Sequence, residues 1–174
     1  MIHSEARIGV NKTVSAKTAM NLFNRHVEVV TYETHLTNQN AYDIVKDWDI
    51  VMDGSDNPKA RYLINDICII LKKPLVSGSA LQWEGQITVY GYKGGPCYRC
   101  LFPVPTPPGS VTNCSDGGVL GMVPGIIGNL EALEITKLLL EVPEEFTLSK
   151  RMIFFDGLAM KFRNVKIRGR NANC

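Results

Sequence analysis

A chain of 174 residues has room for one domain with a real core and not for two ordinary ones. Its apolar share of 45% and charged share of 21% suit a globular protein, and a formal charge of +2 gives no reason to expect nucleic acid or an anionic membrane as a direct partner. The first residues turn charged at once, unlike a signal peptide, and the most apolar stretch, Val119 to Leu130, is broken by Pro124 and three glycines, short of the ~20 residues of a membrane span.

In chain order, Asn11 to Asn24 reads as a helix, with Asn11 as N-cap and Ala16, Ala19, Met20 and Phe23 recurring at helical spacing. Val27 to Tyr32, β-branched and aromatic, reads as a strand. Asn40 to Trp48 predicts a short helix and Ile50 to Met52 a short buried strand. Pro58 suits a first helical position, capped by Asn57 or Asp56, and that helix runs to about Leu71 with Ile64, Ile67, Cys68 and Leu71 on its apolar side. Leu75 to Ser77 and Gly85 to Tyr92 read as strands. A turn-rich segment, Cys97-Tyr98-Arg99-Cys100 and a proline-rich loop from Pro103 to Pro108 follow. A long helix is predicted from about Leu120 to Leu140, with Pro124 in its first turn or at its start and Gly125 and Gly128 allowing close approach of a neighbour. Met152 to Phe155 and Lys161 to Ile167 read as closing strands, the second half-exposed and leading into a basic tail. The strand–helix–strand rhythm predicts an α/β fold with parallel strands.

Four places could carry chemistry. Asp53-Gly54-Ser55-Asp56-Asn57 ends a strand and opens a helix, the point in an open α/β sheet where ligands bind and where a carboxylate can hold Mg²⁺ against phosphates. Simple capping of the helix by Asp56 or Asn57 explains the same residues. Lys12 falls in a first helical turn, where a cation opposes the dipole at a cost of about 0.5 kcal/mol; it makes sense facing an anion, or as an exposed lysine whose cost is tolerated. Cys97 and Cys100 lie in a glycine- and proline-bounded turn with the spacing of a zinc knuckle, and Cys174 is a candidate third ligand. A redox pair would be expected to start a helix, and Pro103 follows too soon for that. Cys114, among polar neighbours, reads equally as a thiol activated near a helix N-terminus or as a small buried hydrophobe. Cys68, on an apolar helix side, reads as core. With five cysteines, an odd number, a disulfide framework is not expected, and the chain reads as cytosolic or nuclear, where thiols stay reduced. No G-x-G-x-x-G or G-x-x-x-x-G-K-[ST] occurs.

Taken together these segments resemble the E1-like adenylyltransferases of the ThiF/MoeB type. Ile2-His3-Ser4-Glu5-Ala6 with Ile8-Gly9 and Lys12, the Asp53–Asn57 run as D-x-[ST]-D-N, Leu75 to Ala80, Glu84 to Val89 and Pro96 to Cys100 follow in that family's order. Val111-Thr112-Asn113-Cys114-Ser115-Asp116-Gly117-Gly118 is most similar to the eukaryotic branch, the adenylyltransferases and sulfurtransferases of molybdopterin synthase that also serve tRNA thiolation. The resemblance implies a Rossmann-like adenylation fold with a zinc knuckle. It also implies that Lys12 contacts ATP phosphates, Asp56 with Asn57 holds Mg²⁺-ATP, Cys97, Cys100 and Cys174 ligate Zn²⁺, and Cys114 is the catalytic thiol. The implied partner is a ubiquitin-like sulfur carrier whose C-terminal carboxylate is adenylated and then thiocarboxylated for molybdenum cofactor synthesis and tRNA wobble-uridine thiolation in the cytoplasm; a homodimer is left open. The family's glycine-rich turn, its ribose-binding acid, the last cysteine of the second C-x-x-C and the rhodanese-like domain of the eukaryotic branch are not matched here. Residues 1–174 are therefore expected to form an incomplete adenylation domain, inactive alone. Two rival readings are a non-catalytic module that keeps carrier or dimer contacts and a nicotinamide-dependent oxidoreductase. The second lacks its glycine-rich turn and leaves Cys97, Cys100 and Cys114 unexplained.

Overall fold

The computed structural model describes residues 2–105 and 117–174, which fall into two units, Met1–Leu36 and Thr37–Cys174, each considered by itself. In the first, α1 (Lys12–Phe23) begins where the sequence predicts, with the Asn11 side chain accepting the Thr13 N–H at 2.9 Å. The buried Ser15 hydroxyl accepts from Arg7 Nε at 3.0 Å and lies 2.9 Å from His3 Nδ1, tying the N-terminal turn to the helix. Of the expected apolar side of α1 Ala19 is buried, together with Ser15, whereas Met20 and Phe23 are exposed, Phe23 by 90%. The strand expected at Val27 to Tyr32 is also absent. No strand pairs with the segment among the described residues, and Val27, Val30 and Tyr32 are exposed. β-propensity measures fit to a half-buried pleated surface, and without a neighbour to take its peptide groups such a segment is not a strand.

The second unit is built on a five-stranded sheet in sequential order: β1 (Val51–Asp53), β2 (Leu75–Leu81), β3 (Glu84–Tyr90), β4 (Arg151–Asp156) and β5 (Lys161–Lys166). Only β1 and β2, joined through α3 (Pro58–Ile70), are parallel; the other three pairings are antiparallel, so the sheet is mixed rather than parallel as expected. Between β2 and β3 the cause is loop length. Gln82 and Trp83 alone join β2 to β3, and so short a link permits only a hairpin. A short helix α2 (Ala41–Val45) packs on α3. β5 is exposed along its whole length, not half.

Alternation of side chains divides β2 and β3 between two faces. Val76, Ile87 and Val89, all fully buried, form one core with Leu138 and Leu148, and so face α5 (Met122–Leu139). Pro124 falls in the first turn of α5, as predicted, but Gly125 and Gly128 meet no neighbour. The glycines that admit close packing are Gly78 and Gly85, each so near Ile127 that an added Cβ would stand 2.6 Å and 2.5 Å from it. On the other face Tyr90 meets Tyr98 edge-on, ring centroids 5.9 Å apart, on the one-turn helix α4 (Tyr98–Leu101). Cys68, in α3, is fully buried as expected, and burial pushes its thiol up to about 12.

Candidate functional site

β1 ends at Asp53, opposite Ser77, and the chain turns through Gly54, Ser55, Asp56 and Asn57 into α3. Asp53 is 1% exposed, and its two oxygens are engaged: Oδ1 accepts the Ser55 N–H at 2.8 Å and Oδ2 accepts the Ser77 hydroxyl at 3.3 Å. Asn57 is the N-cap, its Oδ1 taking the Ala60 N–H at 2.9 Å, while its Nδ2 donates to Asp56 Oδ1 at 3.3 Å. Of the two candidate caps, then, Asn57 serves, and Asp56 remains exposed at the turn. A cavity of about 330 Å³ opens here, lined in part by Asp56, Arg61, Ser79, Glu84, Asp156 and Arg163. That volume lies at the small end of the range for small-molecule sites.

Two residues that the sequence reading passed over belong to this locus. Arg61 donates from Nη2 to the Ser55 carbonyl at 2.9 Å, while its Nε and the Ser55 Oγ are buried without hydrogen-bond partners. Glu131, on α5, is 4% exposed, and its Oε1 also lacks a partner. Burial pushes Glu131 up to about 7; the carboxylate of Asp53 adds to the rise, while the Gly78 amide and Arg61 oppose it. Each had a signal. Arg61 lies four residues beyond Asn57, on the helical turn nearest the motif. Glu131 falls at a core-facing position of a helix whose other inward residues include Val123, Ile127 and Leu138, where a charge is anomalous.

The second locus is the cysteine group. Cys97 is the N-cap of α4, so the C-x-x-C does start a helix, against expectation, but one of a single turn that Pro103 closes off. Cys97 Sγ lies 3.7 Å from Cys100 Sγ and 3.4 Å from Cys174 Sγ, and the ligand atoms of the three lie within 4.8 Å of one another. Thiolates bound tetrahedrally to zinc at ~2.3 Å stand about 3.8 Å apart, so the spacing fits that metal. Although burial works the other way, the N–H of Asn171, 3.3 Å from Cys100 Sγ, helps hold that thiol below its ordinary value, toward the thiolate a metal needs. No fourth donor joins the group among the described residues.

The structure thus brings Asp56 and Asn57 together at one locus and Cys97, Cys100 and Cys174 at another. Lys12 is the exposed first residue of α1, in the other unit. Cys114 lies outside the described residues. Among the described residues no helix is long and apolar enough to cross a membrane.

Comparison with known proteins gives consistent results. The ThiF family profile matches residues 1–174. The adenylyltransferase and sulfurtransferase MOCS3 of Culex quinquefasciatus is 53% identical over 174 residues, which are 100% of this chain and 39% of that protein. The protein of the same name from Dictyostelium discoideum is 51% identical over 172 residues, 99% of this chain and 40% of its own length. The chain therefore spans about two-fifths of the curated relatives it matches. In fold it is similar to E. coli MccB solved with MccA-N7isoASN, at a TM-score of 0.80 and 19% identity over 99% of this chain and 53% of that one. E. coli MccB solved with ATP gives a TM-score of 0.77 at 18% identity, over 100% of this chain and 52% of that one.

Proposed function

The chain belongs to the ThiF family, and on that footing we propose that residues 1–174 form part of an adenylation domain that activates the C-terminal carboxylate of a ubiquitin-like sulfur carrier. The observation that carries the proposal is the Asp53–Asn57 turn. It sets an exposed carboxylate on a cavity at the carboxyl end of a parallel strand, beside a guanidinium whose Nε has no hydrogen-bond partner among the described residues. Buried polar atoms left without partners cost free energy unless a ligand or water takes them, and these atoms border the cavity's turn.

In this reading Asp56, with Asn57, holds Mg²⁺-ATP, whose chemistry is to offer an α-phosphorus to the carrier carboxylate with pyrophosphate as leaving group. The chain's own part is electrostatic and positional. Asp53 fixes the turn from below, Asn57 fixes its entry into α3, and Arg61 supplies positive charge beside it. Lys12 as a phosphate contact and Cys114 as the thiol that carries the acyl group onward rest on the family resemblance. Zn²⁺ at Cys97, Cys100 and Cys174 has a structural role, as expected of an all-thiolate site. The names of the relatives support adenylyl and sulfur transfer; thiocarboxylation for molybdenum cofactor synthesis and for tRNA thiolation, in the cytoplasm, is the wider reading and rests on the family resemblance.

The test is pyrophosphate exchange. Incubated alone with carrier, Mg²⁺-ATP and labelled pyrophosphate, this chain is expected to give none, since its 174 residues include no glycine-rich phosphate turn. Exchanged for the matching segment of the Culex relative, it is expected to support exchange that Asp56→Asn lowers about 100-fold or more. An inactive chimera whose fold and zinc content are intact would favour the non-catalytic reading instead.

A further inference from the structure

The nucleotide turn and the cysteine group are fastened to the same helix. Arg61, Tyr62, Asn65 and Asp66 share one side of α3 by helical spacing, and the last three hold α4. Asn65, 1% exposed, accepts the Tyr98 N–H on its Oδ1 at 2.8 Å. Asp66 takes Arg99 in a two-pronged ion pair, Nε and Nη2 each at 2.7 Å. The Tyr62 hydroxyl donates to the Phe102 carbonyl at 2.8 Å, and its ring meets that of Tyr98 edge-on at 4.9 Å. Both residues between Cys97 and Cys100 are thus bonded to α3. One turn earlier, on the same side of α3, Arg61 holds the Ser55 carbonyl at 2.9 Å.

We propose that α3 is a strut coupling the cysteine group to the Asp53–Asn57 turn, with Arg61 as its positioning residue, so that a metal held by Cys97, Cys100 and Cys174 stiffens the turn that carries Asp56. The element with two states is α4. A four-residue helix has no stability of its own, because one turn does not repay helix nucleation. Its order comes from what grips it, the thiols on one side and Tyr62, Asn65 and Asp66 on the other. Metal removal frees the thiol side, leaves Tyr98 and Arg99 to move, and slackens their hold on the turn of α3 next to Arg61. The coupling is a property of these contacts and stands apart from whether the turn binds a nucleotide.

Amide hydrogen exchange on the whole chain tests it, with Zn²⁺ as the metal and its stoichiometry measured first. The reporters are Ser55 and Ala60, whose N–H groups are held by Asp53 and Asn57, with Cys100 for α4 and Ile87 and Val89 for the sheet. Chelation is expected to speed exchange at Cys100, and at Ser55 and Ala60 by about five-fold or more, with the sheet unchanged. In Arg61→Lys, Ser55 exchanges fast with or without zinc while Cys100 keeps its zinc dependence. If chelation loosens the sheet as well, zinc-loaded Asp66→Asn decides the matter, since it weakens the grip on Arg99 with every thiol intact and is expected to speed Cys100, Ser55 and Ala60 with the sheet unchanged. The proposal is overturned if Ser55 and Ala60 stay protected when α4 opens in either experiment, or if the chain binds no zinc.

Discussion

Replacing Glu131 with Gln should make the chain more stable, by a margin that grows from about pH 4.5 and is complete above neutral pH. Glu131 is almost wholly enclosed between α5 and β2, with Gly78 against its carboxyl. The ionisable groups facing it are Asp53 at the end of β1 and Arg61 on α3; Glu134, on its own helix, is paired with Lys137. Burial lifts the carboxyl from 4.5 to about 7, and at ~1.36 kcal/mol for each pH unit that rise is worth about 3 kcal/mol. The sign follows from proton counting. Below pH 4.5 the group is neutral whether the chain is folded or not, and burying it carries no charge penalty. Between 4.5 and 7 the unfolded chain loses the proton while the folded chain keeps it, so stability falls as pH rises, and above 7 the full penalty is present. Glutamine fills the same space without a charge. Urea unfolding at pH 5 should therefore give similar stabilities for the two chains, the wild type having lost only a small part of its advantage by then, and at pH 8.5 the Gln variant should lead by up to about 3 kcal/mol. Parallel pH profiles for variant and wild type would show that Glu131 does not titrate near neutrality and would refute the reasoning.

Gly78→Ala would place a Cβ 2.6 Å from both the Glu131 Cδ and the Ile127 Cγ2, so it should destabilise the chain by about 1–3 kcal/mol in the same urea assay, and Gly125→Ala, which meets nothing, should not. The chain should bind one Zn²⁺, measured by elemental analysis, and release it as acid protonates the thiolates; Cys100→Ser should weaken binding at least ~10-fold, and chelation should lower the melting temperature. Arg99→Ala should cost no more than about 1 kcal/mol in global stability, because the Arg99 and Asp66 side chains are each 38% exposed and water screens the pair.

Local signals in the sequence located elements well where a cap or a period marks them. Asn11 and Asn57 begin α1 and α3 within a residue of expectation, and Pro124 sits in the first turn of α5. The signals failed where structure depends on residues far off in the chain. Val27 to Tyr32 has the composition of a strand but no strand beside it among the described residues. Gly125 and Gly128 looked like packing glycines because they lie on a helix, whereas the tight approach occurs at Gly78 and Gly85, where helix and sheet meet. The cysteine group was legible because the C-x-x-C spacing is local, yet bringing in Cys174 took a contact across 77 residues. Arg61 and Glu131 were hidden for a further reason. Neither belongs to a spaced motif, and the weak signals each had, a place one helical turn past Asn57 and a charge among inward helix positions, gain meaning from a polar atom that folding buries without a partner among the described residues.

The two carboxylates of Asp53-Gly54-Ser55-Asp56-Asn57 show how one motif divides its work. Asp53 is enclosed, and its two oxygens bond to the turn and to the neighbouring strand, so its carboxyl organises the backbone away from the solvent from which an ion would come. Asp56 is exposed and borders the cavity, where an ion can reach it. Asn57 is committed to starting α3. The spacing follows from these separate duties. The first acid must sit at the end of the strand to meet Ser77, and the last residue must precede Pro58, whose missing N–H and fixed φ suit only a first helical position. That leaves three residues to reverse direction, and Asp56 is the only one of them with a charge to present. Arg61, four residues on, comes round on the helix to the Ser55 carbonyl and closes the turn from the other side. The motif is therefore a turn fastened at both ends, with one exposed carboxylate facing the cavity.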